Sequence, residues 1–274
     1  MASREFKNMA DHYENPELKR IFRGHKGPVN KVAVHPQMKN VASCSADSTI
    51  NVWQFKPDMR PYRFNDHTGQ VYTVNYNPKG THLVSAGADK KIVVWKNHPD
   101  APHFSFKAHG AAIRSVTFSQ SEEYLLSCSD DKSIKVWDIK IAKKKSRFLA
   151  SYLGHNNWVR DARFSPDNRI IASVCDKSVR LWDFQTQKEF LQYKDNSFNN
   201  REIAFHPDGS YLAVGGHSKH LKIWDTRSHR LMQDYVVGKN INSIDFHPTG
   251  NYLACATDWD KDNNDPVIHI YDIR

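Results

Sequence analysis

The chain has 274 residues, of which 39% are hydrophobic and 25% charged, a composition typical of a folded globular protein rather than a disordered one. No stretch approaches 18 uninterrupted apolar residues, and charges interrupt the N-terminal stretch where a signal peptide needs an apolar core, so membrane-spanning and secreted proteins are disfavoured and a cytoplasmic one is expected. The net charge of +9 favours an acidic partner, and nucleic acid, an anionic membrane and acidic protein tails all qualify.

Short segments that are predicted to be outer strands recur along the chain at regular intervals. Residues 1–16 are predicted to be an N-terminal extension, and the first outer strand follows at Leu18–Phe22 (LKRIF). Short runs rich in aromatic residues recur later and are typical of strands. They are PYRFN (61–65), HFSFK (103–107), FLASY (148–152), EFLQY (189–193) and LMQDY (231–235).

Four similar units lie between these outer strands. Each opens with a histidine, and these histidines stand 42 to 46 residues apart. A serine follows in the second strand, an aspartate in the next turn, and a tryptophan six residues after that aspartate. The four sets are His25, Ser43, Asp47 and Trp53; His67, Ser85, Asp89 and Trp95; His109, Ser127, Asp131 and Trp137; and His155, Ser173, Asp176 and Trp182.

Two further units keep the spacing but not all of the residues. In the fifth, FHPDGSYLAVGG (205–216) leads to Trp224, and Asn196 and Ser218 replace the histidine and aspartate. In the sixth, FHPTGNYLACAT (246–257) leads to Tyr271, and Val237 replaces the histidine. A repeat of this length ending in Trp-Asp is typical of WD40 propeller blades, each a four-stranded sheet. The predicted fold is therefore an all-β WD40 β-propeller over residues 17–274, with six blade units where the family usually has seven.

The closure of the ring has two alternatives. Six outer strands and six three-strand units close a six-bladed ring if the strand at Leu18–Phe22 pairs with the last blade. A missing seventh blade would instead leave an exposed edge, which proteins generally avoid.

The recurring histidine, serine, aspartate and tryptophan are predicted to be structural. In WD40 proteins these side chains form a hydrogen-bonded chain, because a buried indole N–H and a buried imidazole both need partners. A catalytic triad is the alternative, but four copies of one triad at an architectural spacing are implausible. The four cysteines lie far apart in apolar runs, and nucleotide-binding, hydrolase and metalloprotease motifs are absent. We therefore expect no enzyme, catalytic residue, metal, cofactor or small-molecule substrate.

A partner-binding face is predicted at one mouth of the central channel. The fifth residue after each opening histidine should lie there, which places Tyr72, Arg114, Arg160 and Arg201 side by side. Trp158, two residues before Arg160, should share their strand face because side chains alternate with period two. Arginine, tryptophan and tyrosine dominate binding hot spots. The alternative is that these are scattered surface arginines that serve solubility.

Several stretches resemble a more specific family. RPYRFNDH (60–67), HNNWVRDARFSPD (155–167), IWDTRSHRLMQDY (223–235) and FHPTGNYLACAT (246–257) are similar to the centriolar WD40 family called proteome-of-centriole protein 1. The resemblance implies a component of centrioles, basal bodies and cilia. Members have seven blades and a C-terminal coiled coil, whereas this chain ends with its sixth unit, so it is expected to be a shortened relative or part of a longer one.

The expected function is a non-enzymatic scaffold of the centriole, basal body or ciliary axoneme, within the cytoplasm and cytoskeleton. It would bridge tubulin or microtubules and microtubule-associated proteins, and no membrane partner is expected. The alternative is a WD40 adaptor of another class, a ubiquitin-ligase substrate receptor or a ribonucleoprotein component. Nucleic acid is disfavoured because the aromatic residues fall at blade-core positions. The basic run KIAKKKSR (140–147) is either a contact for acidic tails or a solvated loop.

Overall fold

The computed structural model describes residues 21–56, 59–98, 103–140, 145–194, 199–259 and 266–274. Within these residues it is all-β, and no helix is long or apolar enough to cross a membrane. The predicted domain boundary after residue 16 and residues 141–144 of the basic run lie outside the described residues.

The strands form six antiparallel sheets in chain order, one for each predicted unit. Blade 1 contains β1 (Val29–Val34), β2 (Asn40–Ser45), β3 (Ile50–Gln54) and β4 (Tyr62–Phe64); blade 2 contains β5 (Val71–Tyr76), β6 (His82–Gly87), β7 (Lys91–Lys96) and β8 (Phe104–Lys107). Blade 3 contains β9 (Ile113–Phe118), β10 (Tyr124–Ser129), β11 (Ser133–Lys140) and β12 (Lys145–Leu153); blade 4 contains β13 (Val159–Phe164), β14 (Ile170–Cys175), β15 (Ser178–Asp183) and β16 (Glu189–Lys194). Blade 5 contains β17 (Asn200–Phe205), β18 (Tyr211–Gly216), β19 (His220–Asp225) and β20 (Leu231–Val236); blade 6 contains β21 (Ile241–Phe246), β22 (Tyr252–Thr257) and β23 (Ile268–Asp272). The six-bladed β-propeller predicted from the repeat is confirmed.

The first strand of each blade is its inner strand. Neighbouring inner strands pack against one another from blade 1 round to blade 6. Residues from all six inner strands line a central channel of about 850 Å³. One mouth of this channel lies where the inner strands begin and the other where they end.

Apolar side chains between adjacent blades form the core. At the junction of blades 1 and 2, for example, Ile50 and Val52 of one sheet pack with Val71 and Val74 of the next. Strand side chains alternate between the two faces of a sheet, so each blade presents one apolar face to the blade before it and one to the blade after it. The four cysteines are buried free thiols within these layers.

Five of the six predicted outer strands are present, but the one at Leu18–Phe22 differs from the prediction. Leu18 to Arg20 lie outside the described residues, while Ile21 and Phe22 belong to no strand. Blade 6 has three strands among the described residues, and neither of these two residues joins it. The Phe22 ring instead lies 5.3 Å from the Trp53 ring of blade 1. The closure predicted from pairing with the last blade is therefore not what the described residues show.

Every inner strand carries a β-bulge near its first residue. In blade 1, Val29 pairs with Ser45 and Lys31 with Cys44, so Asn30 is skipped. A bulge leaves the extra residue unpaired and redirects its side chain. The skipped residues of the other five blades are Tyr72, Arg114, Arg160, Arg201 and Asn242.

Candidate partner-binding site

Hydrogen-bonded networks tie together the loops and strands of the first three blades. In blade 3, Trp137 Nε1–H donates to Ser127 Oγ at 3.0 Å, and His109 Nε2 lies 2.8 Å from the same oxygen. Burial lowers the pKa of His109, and the hydrogen of its neutral ring lies on Nδ1, which faces the Asp131 carboxylate, so Nε2 accepts the hydrogen of the Ser127 hydroxyl. His109 Nδ1–H then donates to Asp131 at 2.9 Å. The same connections join His25, Ser43, Asp47 and Trp53 in blade 1 and His67, Ser85, Asp89 and Trp95 in blade 2.

The aspartate of each network is held as a carboxylate. Burial alone would raise the pKa of Asp131, but hydrogen bonds from His109 and Ser133 outweigh it and hold that pKa well below its usual value. The pKa of Asp47 is depressed in the same way, with Thr49 as the strongest donor. Both carboxylates therefore remain charged acceptors.

The fourth blade departs from the predicted set. His155, Ser173 and Trp182 are connected as in the other blades, at 2.7 and 2.8 Å. Asp176 does not reach His155; its carboxylate accepts from Asn157 Nδ2 at 2.7 Å and Arg160 Nε at 3.1 Å. The cause is a turn one residue shorter, since Asp176 follows Ser173 by three positions where Asp131 follows Ser127 by four. Among the described residues, His155 Nδ1 is buried without a hydrogen-bond partner.

These networks are built for structure. The serine hydroxyls are buried, and each is engaged with an indole and an imidazole. Burial, with a smaller contribution from Arg180, lowers the pKa of His155 to about 3, so it is neutral near pH 7. Within the described ranges, no group of three or more His, Cys, Asp or Glu side chains is arranged to hold a metal ion.

A stack of alternating aromatic and cationic side chains lies at the channel mouth where the inner strands begin. We call Tyr72, Arg114, Trp158, Arg160 and Arg201 the mouth cluster. Arg114 Cζ lies 4.6 Å from the centre of the Tyr72 ring and 5.7 Å from that of Trp158. Arg160 Cζ lies 5.0 Å from the Trp158 ring. Guanidinium groups at these distances are attracted to the ring faces.

Two of the arginines are fixed by carboxylates of their own blades. Arg114 donates from Nε and Nη2 to both oxygens of Asp130, at 2.8 and 2.6 Å. Arg160 donates to Asp176 as described above, and Asp176 occupies the position in blade 4 that Asp130 has in blade 3. The bidentate pair fixes the guanidinium plane of Arg114, whereas Arg160 is held by one hydrogen bond from Nε. Both side chains keep further N–H groups for a ligand.

Arg201 supplies the unpaired charge of the cluster. It is exposed, and within the described residues no carboxylate lies within 4.0 Å of it. Burial of part of the group and the charges of Arg160 and Arg114 lower its pKa, with Asp176 and Asp258 acting in the opposite direction. Because Arg160 and Arg114 repel the positive charge of Arg201, an anionic ligand bound here would relieve that repulsion.

Trp158 differs from the blade tryptophans in exposure. Its side chain is 43% exposed, whereas Trp53, Trp95, Trp137 and Trp182 are at most 8% exposed. A large aromatic ring left in solvent beside cations is the arrangement expected of a binding anchor.

A family model described as WD domain, G-beta repeat matches six segments of the chain. They are residues 16–54, 60–96, 101–138, 146–183, 201–225 and 233–272. The chain belongs to the WD40 repeat family. Proteins of this family bind other proteins.

Curated relatives match shorter parts of this WD40 chain. Over 56 residues, 20% of the chain and 13% of the relative, it is 46% identical to POC1 centriolar protein homolog A of Xenopus tropicalis. Over 118 residues, 40% of the chain and 35% of the relative, it is 27% identical to small ribosomal subunit protein RACK1y of Oryza sativa subsp. japonica. Over 82 residues, 29% of the chain and 26% of the relative, it is 30% identical to Target of rapamycin complex subunit wat1 of Schizosaccharomyces pombe. The matched segments span about an eighth to about a third of these relatives.

Sequence reasoning missed three features of this WD40 mouth. Asp130, which directly precedes Asp131, was not predicted to hold Arg114. Its counterpart Asp176 would have indicated this role if the shorter turn of blade 4 had been recognised. Trp259 is 61% exposed, more than Trp158. The inner-strand bulges, which leave Arg160 and its equivalents unpaired in the register, were not anticipated.

The channel below this mouth contains a network of compensated charges. Arg163 Nε lies 3.1 Å from Asp161, and Arg163 Nη2 lies 3.6 Å from Glu202. Glu202 also lies 4.0 Å from Lys31 Nζ of blade 1 and accepts from the Ile244 amide at 3.1 Å. The network thus joins the inner strands of blades 1, 4, 5 and 6, and its two cations and two carboxylates offset one another.

Proposed function

We propose that this WD40 protein is a non-enzymatic scaffold that captures an acidic protein segment at the mouth cluster. The observation that carries the proposal is the stack of Tyr72, Arg114, Trp158 and Arg160, with Arg201 beside it as an unpaired cation. The exposed indole offers an apolar anchor, and the guanidinium groups offer donors for carboxylates.

We propose further that its assembly is the centriole, basal body or ciliary axoneme, where it bridges microtubules and associated proteins. The centriolar relatives from Xenopus support this, as does the net charge of +9, which suits the acidic tails of tubulin. An adaptor in another assembly is the second candidate, and the RACK1y and wat1 relatives support it.

Microtubule pelleting tests the binding site. Arg201→Ala and Trp158→Ala should each weaken binding at least about fivefold, the effect of losing a hot-spot residue. Both side chains are exposed, so neither variant should shift the thermal unfolding midpoint. Arg169→Ala is the matched control, because Arg169 is an exposed arginine in the β13–β14 loop at the opposite mouth.

Electrostatics separates charge-driven binding from docking by shape. Binding to tubulin tails should weaken as salt is raised and after the tails are removed with a protease, because exposed charges are screened. Binding that is unchanged by both treatments would contradict an acidic tail as the ligand. Localisation of a tagged copy in a ciliated cell distinguishes the centriolar assembly from the second candidate.

A further inference from the structure

A groove lies between blades 1 and 2 on the face of the propeller where the inner strands end. It has a volume of about 840 Å³ and is formed by the loops that follow β1, β3 and β5 and by the end of β7. Among the described residues that line it there is no Asp or Glu side chain. Four cationic side chains line it, and we call the hollow that they surround the basic groove. They are Lys39, Arg60, Lys79 and Lys96.

The equivalent positions of the other blades carry carboxylates. In the loop after the inner strand, blade 3 has Glu122 and Glu123, whereas blade 1 has Lys39 and blade 2 has Lys79. The residue directly after the blade tryptophan, or after Tyr271 in blade 6, also changes its charge round the ring. It is Gln54, Lys96, Asp138, Asp183, Asp225 and Asp272 in blades 1 to 6. Blades 1 and 2 therefore form a basic sector of this face.

Hydrogen bonds between the two blades hold the floor of the groove. The Tyr62 hydroxyl of blade 1 donates to Asn97 Oδ1 of blade 2, and Asn97 Nδ2 donates to the Gly80 carbonyl at 3.1 Å. His35 of blade 1 lies against Gly80, where a Cβ atom would come within 2.3 Å of the imidazole. A ligand therefore meets a preformed floor, so that binding orders few protein groups.

The cations at the rim are mostly not compensated. Lys39, Arg60 and Lys96 are exposed, and no carboxylate in the part of the chain that the structure describes lies within 4.0 Å of them. Lys79 Nζ lies 2.9 Å from Glu122 of blade 3, and its side chain is still 75% exposed. Burial, with a smaller contribution from the charge of Lys39, lowers the pKa of His35 at the floor. An anion bound at the rim would offset this positive potential.

The side chains of the groove favour phosphate over other anions. Three of the four cations are lysines, whose compact charges bind phosphate, whereas the planar fork of arginine suits carboxylates. A phosphoserine carries about 1.5 to 2 negative charges at neutral pH and offers three acceptor oxygens. Surfaces that bind single-stranded nucleic acid add exposed aromatic rings on which bases stack. The Tyr62 ring in this groove is instead half-buried and packs edge-on against Phe64 at 5.5 Å.

We propose that the basic groove binds a phosphorylated segment of a partner protein, with phosphoryl groups at Lys39 and Lys96. This second site lies on the face opposite to the mouth cluster and between two blades that pack directly on each other. The ring then joins an acidic segment at one mouth to a phosphorylated segment at the other. Phosphorylation of the partner controls the second contact and leaves the first unchanged.

Fluorescence anisotropy with the full chain tests this site. The probe is a fluorescein-labelled glycine–serine peptide that carries two phosphoserines, and the same peptide with glutamates in their place is the comparison. The phosphorylated peptide should bind at least about fivefold more tightly, because a phosphoserine carries about twice the charge of a glutamate. Lys39→Glu and Lys96→Glu should each weaken its binding at least about tenfold, since each places a carboxylate against a phosphoryl group.

Lys188→Glu is the matched control for these charge reversals. Lys188 is an exposed lysine in the β15–β16 turn of blade 4, on the same face of the propeller. Because all three lysines are exposed, none of the variants should shift the thermal unfolding midpoint. Trp158→Ala and Arg201→Ala should leave peptide binding unchanged. These two variants separate this proposal from the proposed function, because they alter only the mouth cluster.

Four outcomes would overturn the proposal. The phosphorylated peptide does not bind, or the glutamate peptide binds equally well, which would indicate a general acidic ligand. Lys188→Glu weakens binding as much as Lys96→Glu does, which would indicate attraction to the net charge alone. A single-stranded RNA of equal charge binds more tightly and is lost in the same variants, which would make the groove a nucleic-acid site.

Discussion

Blades 3 and 6 share the order of their first three strands but are stabilised by different means. Blade 3 has the complete network of His109, Ser127, Asp131 and Trp137, and a neighbour covers each of its faces. Blade 6 has Val237, Cys255 and Tyr271 at the positions of the histidine, serine and tryptophan. Its sheet face with Ile268 and Ile270 is exposed. In place of the network, the Tyr271 ring packs at 4.7 Å on the Tyr235 ring of blade 5. The comparison shows that a blade forms without the network, with apolar packing between blades 5 and 6 in its place.

The largest expected effect tests how much the network contributes. Trp137→Ala removes a buried ring and the indole N–H that donates to Ser127, so it should lower the free energy of unfolding by about 3–5 kcal/mol. Tyr271→Ala removes a half-buried ring without a network and should cost less. Urea unfolding at neutral pH compares the two variants. Equal losses would show that the network adds nothing beyond packing.

The pH dependence of stability should distinguish blade 4, where the histidine lacks its aspartate, from blade 3. The pKa of His155 is lowered from 6.5 to about 3 by burial, so the unfolded chain binds this proton first. Stability should therefore be complete above about pH 6.5 and fall as the pH drops toward 3, by about 1.4 kcal/mol per pH unit at most. His155→Gln should reduce the loss between pH 6.5 and pH 4 by up to about 3 kcal/mol.

His109→Gln is the control for this pH effect. Burial also lowers the pKa of His109, but hydrogen bonding and attraction to Asp131 oppose that shift. The control should therefore flatten the pH profile less than His155→Gln does. Chemical denaturation at a series of pH values measures both, and a greater effect of His109→Gln would contradict the role given to the missing aspartate.

The smallest expected effect concerns the hydroxyl at the centre of the network. Ser127→Ala leaves the Trp137 N–H and one nitrogen of His109 unpaired in a buried site, which should cost about 1–3 kcal/mol. Cys255→Ala, at the same position of blade 6, leaves no polar group without a partner there and should cost less. Urea midpoints of the two variants give the comparison. A larger loss in blade 6 would show that the cost lies in side-chain volume rather than in hydrogen bonding.

The sequence by itself determined the features that repeat within a blade. Spacing and residue type predicted six sheets, five of the outer strands and the residues of the first three networks, because hydrogen bonds and side-chain alternation act within a single unit. The mouth cluster also followed from the repeat, since equivalent positions of adjacent blades lie side by side. One error, the assignment of Asp176, came from a turn shortened by one residue, which changed the partner of the carboxylate from His155 to Arg160.

Only the tertiary structure decided how the first and last blades relate. Val29 and Val71 are the same residue type at the same position of the repeat, yet one is half exposed and the other is buried. The difference arises because blade 1 packs against Val71, whereas no blade among the described residues packs against Val29. Likewise, nothing in LKRIF (18–22) indicated that Phe22 would lie on Trp53 rather than extend blade 6. Burial at a blade face is a property of the neighbouring blade, and no residue within the blade encodes whether that neighbour is present.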